Sequence, residues 1–221
     1  MADEFAGFSP DAYVFLMELG FNNNKPWMDA NRQRYRALVQ RPLQRMAAML
    51  LPDMLEIDSN FNPSLNSIVS HINRDTRYSR DKQPYRTHAW LAFRHPGQRL
   101  SESVCLYFEL SPEGYGYGVG MWGADMARMA ELRARALAHP EGLRQVVNDP
   151  ALARYELSGE LYKRDRFPSA PEDIKPYLNR KGLSWGYFDT SLAPTMGPGI
   201  YEEVRSAMLE LAPVYKYLMG I

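Results

Sequence analysis

The chain has 221 residues, 45% of them apolar, so it can bury a full core without staples, and a single domain spanning 1–221 is expected. Its 26 basic residues balance 26 acidic ones, which excludes a protein that coats nucleic acid by bulk charge. Cys105 is the one cysteine, excluding an intrachain disulfide, and no run approaches the roughly 20 apolar residues that span a bilayer.

The opening MADEFAGFSPDAY is acidic and lacks the basic-then-apolar order of a signal peptide, so a cytoplasmic protein with no membrane span is expected. Ser9 and Pro10 then start a helix in which Phe8 can staple onto Tyr13. Tyr13, Leu16 and Met17 form its apolar stripe, and Gly20 supplies the stop. After the turn Asn22–Asn24, Pro26 opens a second helix. Trp27, Tyr35, Leu38, Met46 and Met49 recur at helical spacing to about Leu51, with a kink or break expected at Pro42.

Leu65–Ile72 and Thr87–Phe93 read as strands flanking a charged loop. Ser103–Leu110 alternates Val104, Leu106 and Phe108 with Cys105, Tyr107 and Glu109; a turn at Ser111–Gly114 returns the chain as Tyr115–Met121. Asp125–Ala138 is an amphipathic helix ending at His139-Pro140, followed by a shorter one around Leu143–Val147. Leu161–Pro176 is irregular, Leu183–Phe188 is a strand, and Tyr201–Leu218 is a helix interrupted at Pro213. Helices at both ends around antiparallel strands predict an α+β fold: a central, mostly antiparallel sheet with helices from both chain ends packed on it.

One segment departs from this ordinary pattern. Between His71 and Arg99 seven basic residues face two acids, and residues 74–87 alone hold Arg74, Arg77, Arg80, Lys82 and Arg86. Arginine forks bind carboxylate or phosphate bidentately, and lysine adds a point charge. Tyr78 and Tyr85 can stack on a ring, while Thr76, Ser79 and Thr87 can donate to phosphate oxygens. The same residues also suit a scaffold, with Arg74 beside Asp75 and Lys82 beside Asp81 forming structural ion pairs. Lys163-Arg-Asp-Arg166 is a second basic knot that would extend the site if it folded beside the first.

Other candidates are weaker. Asn31 shares a helix face with Trp27 and Tyr35, and can either satisfy buried backbone or reach the basic loop. Gly114, Gly116, Gly118 and Gly120 bare one strand face, either to floor a groove or, as favoured here, to admit a close-packed helix. Gly118-Val-Gly120-Met-Trp-Gly123 matches a dinucleotide fingerprint formally, but its strand pairs antiparallel with its predecessor. Ser79-Arg-Asp-Lys82 has the serine–lysine spacing of penicillin-binding enzymes without the helix that motif needs. The four histidines show no metal-ligand spacing, and Cys105 reads as a small strand hydrophobe.

Asn23-Asn24-Lys-Pro-Trp27 with Asn31 and Tyr35, then Arg74-Asp75-x-Arg77-Tyr78-Ser79-x-Asp81-Lys82-x-Pro84-Tyr85-Arg86-Thr87, resemble the two signature blocks of the DUF2461 family. The Gly118–Gly120 strand, the helix after it and Leu157–Phe167 also match the family's order. Met28 and Tyr78 stand where its members usually carry phenylalanine, and His71 and Asn73 replace its commoner arginine and tyrosine. The resemblance implies the fold unit and no reaction.

The functional expectation is therefore a small anionic ligand held by Arg74, Asp75, Arg77, Tyr78, Ser79, Asp81, Lys82, Tyr85 and Arg86, with Trp27, Asn31 and Lys163 contributing. Asp75 and Asp81 are the acid–base candidates if chemistry occurs, although a carboxylate among arginines is a poor proton donor near neutrality. Nucleic-acid binding and a partner-binding or scaffolding role are the alternatives. No cofactor or metal is expected.

Overall fold

Proline placement sets most helix starts in the computed structural model, which describes residues 5–77, 79–98, 100, 103–121 and 126–221. Proline lacks the N–H that a first helical turn leaves unbonded anyway. Pro10 and Pro26 accordingly sit at the starts of α1 (Pro10–Phe21) and α2 (Lys25–Tyr35), and Pro42 at the start of α3 (Arg41–Ile57). A short turn, α4 (Leu65–Ile68), precedes the strands β1 (Ala89–Phe93), β2 (Cys105–Ser111) and β3 (Gly114–Gly120). Then come α5 (Met126–Ala138), α6 (Pro140–Val147), β4 (Glu156–Ser158), α7 (Lys175–Leu178), β5 (Ser184–Asp189), α8 (Gly199–Glu210) and α9 (Ala212–Met219). The five strands form one antiparallel sheet in the order β1-β2-β3-β5-β4, which is the expected α+β class.

Several elements differ from the sequence reading. Leu65–Ile72 is not a strand: Ser64 accepts from Ser67 and Ile68 N–H, turning Leu65–Ile68 into helix, and only an isolated bridge from Val69 to Leu91 follows. Asn66 and Ser67 favour such local turns over a ladder. Helix α1 runs through Gly20, and Asn22 caps it by donating its side-chain amide to Glu18 O at 2.9 Å. Ser9 occupies the N-cap without a side-chain hydrogen bond. Met17 and Met49 face solvent rather than the apolar stripes. The Asp125 end of the predicted helix, like Tyr78 and Gly123, lies outside the described residues.

The interruption expected at Pro42 takes the form of a π-helical stretch, residues 36–40, between α2 and α3. Pro42 has no N–H to return to Leu38, and Arg41 N–H bonds instead to Arg36 O, five residues back.

Contacts divide the chain into two compact units. The first comprises residues 1–92, 108–116 and 188–206, and the second 93–107, 117–187 and 207–221. In the first, Phe8, Phe15, Leu16, Leu19, Met28, Val39, Leu43, Met46 and Leu50 are buried. Phe8 stacks on Phe108 at 5.8 Å, and its N–H donates to Thr195 O at 2.8 Å. Arg205 grips Asp53 bidentately, at 2.8 and 2.7 Å. In the second, Ala136, Leu143, Ile174 and Leu178 form a core covered by Val147, Phe167, Tyr177 and Tyr217. Cys105 is buried there, its thiol pushed up to about 12 by desolvation, which fits the inert role expected of it.

At Gly114, Gly118 and Gly120, β3 neither floors a groove nor admits a helix. A Cβ on Gly118 would lie 2.3 Å from Trp185 O and 2.9 Å from the Tyr107 ring. Strand β5 and Tyr107 fill that space. Gly118→Ala is therefore expected to lower stability by about 1–3 kcal/mol, as overpacking does. Gly199→Ala, with nothing within 4 Å of the new methyl, should change it by less than about 0.5 kcal/mol. Urea midpoints of the two variants provide the comparison.

Candidate functional site

The basic loop is the head of a short antiparallel ladder in the first unit. Val69 bridges to Leu91 and Asn73 to Tyr85. Arg86 N–H donates to Ile72 O at 2.9 Å, and Arg74 N–H to Pro84 O at 2.8 Å, closing residues 75–83 into a loop. Asn23 then clamps this ladder from the start of α2. Its Oδ1 accepts from Tyr85 N–H at 3.0 Å, and its Nδ2 donates to Tyr85 O at 2.9 Å. A side-chain amide thus replaces a neighbouring strand, and the Tyr85 ring is buried beneath the loop.

The loop's cations are largely satisfied from within. Arg74 pairs with Asp81 and donates to Ser79 Oγ at 3.2 Å. Arg77 grips Asp75 through Nε at 3.0 Å and through a terminal nitrogen at 2.7 Å. Lys82 donates to Thr76 O at 2.9 Å. Arg86 donates to His71 O at 3.1 Å and to Asn73 O, with its guanidinium 5.1 Å from the centre of the Trp90 ring. Arg80 is exposed and has no partner among the described residues. Arg77 bonding holds the Asp75 carboxyl down at about 2, and the Gln83 N–H followed by Arg74 lowers Asp81. Both are ionised acceptors near neutrality.

Asn31 does not reach the loop. Its amide donates to Trp27 O at 2.9 Å, and its oxygen accepts from Arg34, also at 2.9 Å. Trp27 packs against Phe15 at 5.6 Å. Lys163 belongs to the second unit and lines a cavity there.

A cavity of about 130 Å³ opens beside the ladder within the first unit. One wall is helical, made of Arg32, Tyr35, Arg36 and Gln40; the other is the bridged segment His71, Ile72 and Asn73. Arg32, Arg36 and Gln40 follow one another four residues apart, so successive turns present them to the same side. Tyr35 and Ile72 are its buried apolar members, and burial pushes the Tyr35 hydroxyl up to about 12. No acid lines the cavity. Arg32 meets Asp29 at 3.1 Å, whereas Arg36 has no partner among the described residues. Sequence reasoning passed over Arg32, Arg36 and Gln40 because basic residues on a helix normally form a solvated face. The available signal was their four-residue spacing just before a proline.

The family model described as conserved hypothetical protein (DUF2461) matches residues 11–217. The chain belongs to the DUF2461 family. Searches of curated proteins and of solved structures find no match. In this DUF2461 chain the two signature blocks meet through Asn23 and Tyr85, so the first block positions the second.

Asn23→Ala should cost about 1–3 kcal/mol, because it strips partners from both backbone groups of Tyr85, and amide exchange at residues 72–86 should accelerate. Asn31→Ala, which removes bonds within one helix, should leave that exchange unchanged. The Asp75 carboxyl lies below its ordinary value, so its contribution is complete above about 3.8 and is lost as pH falls toward about 2. A carboxyl NMR titration should show this acid limb, and Asp75→Asn should abolish it.

Proposed function

We propose that this protein binds a small anion, a phosphate or carboxylate group, in the cavity between the α2 end of the helix and the His71–Asn73 segment. The observation carrying this reading is a concave site with two arginines and a histidine on its walls and no acid among its lining. At about 130 Å³ it displaces roughly four waters at about 30 Å³ each. It is smaller than the roughly 300–1,000 Å³ of sites that engulf a whole organic ligand. The cavity therefore takes the charged head of a ligand, with any remainder outside. Binding rather than catalysis is the reading, since the loop carboxylates are ionised near neutrality and cannot donate protons there.

The internal pairing of Arg74, Arg77, Lys82 and Arg86 favours a supporting role for the basic loop, as the frame of the site. Nucleic-acid binding is disfavoured by a net charge of zero and is separable by salt, since neutralising many phosphates gives a steep loss of affinity.

Titrating inorganic phosphate into the protein and following backbone NMR shifts tests the proposal. Shifts should appear at residues 32–40 and 71–73 with shallow salt dependence. Arg36→Ala should weaken binding by roughly tenfold or more, the effect of losing a charge-assisted hydrogen bond. Arg80→Ala should leave it nearly unchanged. Absence of shifts in these residues at millimolar phosphate would sink the proposal.

A further inference from the structure

The second unit holds a larger cavity, of about 480 Å³, within the size range of sites that enclose a whole organic ligand. It is formed by residues 160–166 and Lys181. The loop is held from several sides. Leu161 bridges to Arg180, Tyr162 N–H donates to Asn179 O at 2.9 Å, and Arg166 N–H donates to Asn179 Oδ1 at 2.9 Å. Arg133 fixes the facing segment, at the end of α7, by donating to Leu178 O at 2.9 Å and Arg180 O at 2.6 Å.

The two acids of this cavity are committed internally. Glu160 pairs with Lys181, and Asp165 accepts from Phe167 N–H at 2.8 Å and from the Asn179 amide at 2.7 Å. Lys163 and Arg164 are exposed and have no partner among the described residues. Beside these cations lies a partly apolar surface. The Arg166 guanidinium sits 3.9 Å from the centre of the Tyr162 ring, and Leu161, on the same lining, is 52% exposed. A guanidinium plane can accept a stacked aromatic ring as well as bind an oxyanion.

We infer that the cavity formed by residues 160–166 is a second ligand site, taking a nucleoside monophosphate whose phosphate meets Lys163 and Arg164 and whose base stacks over Arg166. It differs from the first-unit cavity in size and in having a stacking surface, and it stands or falls independently. AMP is the probe, followed by backbone NMR shifts and calorimetry on the full chain, with inorganic phosphate and a single-stranded oligonucleotide in parallel arms. AMP should shift residues 160–166 and Lys181 and bind at least roughly tenfold tighter there than phosphate, because phosphate cannot stack. Lys163→Ala and Arg164→Ala, both at exposed positions, should each weaken AMP roughly tenfold while leaving phosphate shifts at residues 32–40 in place. AMP shifts confined to residues 32–40, or none at millimolar AMP, overturn the inference. So does tighter oligonucleotide binding with a steep salt dependence, which would make the loop a nucleic-acid contact instead.

Discussion

Five cations within fourteen residues cannot hold one shape unless partners are placed among them. At 4 Å, two like charges repel by about 1 kcal/mol in water and by several times that near a protein surface. Asp75 and Asp81, the Thr76 carbonyl and the His71 and Asn73 carbonyls are the partners that relieve this repulsion. Arg86 is the member with the widest reach, because its acceptors are backbone carbonyls of the cavity wall. Compensating its charge and fixing the position of His71 and Asn73 are one event. Asn23, just before α2, completes the arrangement by holding Tyr85, the bridge partner of Asn73, so the helix carrying Arg32 is tied through that bridge to the segment that faces it.

The opposite wall owes its geometry to a different constraint. An α-helix continuing unchanged into Pro42 would leave the Leu38 carbonyl without its donor and set the proline ring against it. The wider π turn at residues 36–40 absorbs this conflict and lets the helix continue to Ile57. Arg36 and Gln40 begin and end that stretch, and both line the cavity. A backbone adjustment next to a proline thus falls at the candidate cavity, in keeping with the frequent appearance of π turns at functional positions.

Much of the fold was legible because it rests on local rules. Prolines at helix starts, the β2 and β3 strands and the break at Pro213 all appear where sequence placed them. Leu65–Ile72 was misread because its apolar residues suit either period, and a local Ser64 turn decided in favour of helix. Strand β4, with three residues, is too short to carry a period. The basic loop was recognisable as unusual, yet its partners were not: whether an arginine is spent on a nearby carboxylate depends on how the loop closes. Asn23 and Tyr85 are 62 residues apart, and no periodicity reports such a contact.

The distinction between satisfied and unsatisfied donors locates where an anion gains affinity. An exposed pair such as Arg77–Asp75 is screened by solvent and adds little to stability, so an incoming phosphate could displace the carboxylate at little structural cost. The exchange would also gain little, because one charge-assisted bond replaces another and the released Asp75 stands beside the new anion. Arg36 offers the opposite case. With Arg36 having no partner among the described residues, an anion in the cavity would add protein contacts without displacing any. Tyr35 and Ile72 beneath it lower the local dielectric and strengthen that attraction. In the proposed binding, the segment dense in charge builds a wall, while Arg36, on an unremarkable stretch of helix, gains its partner from the anion.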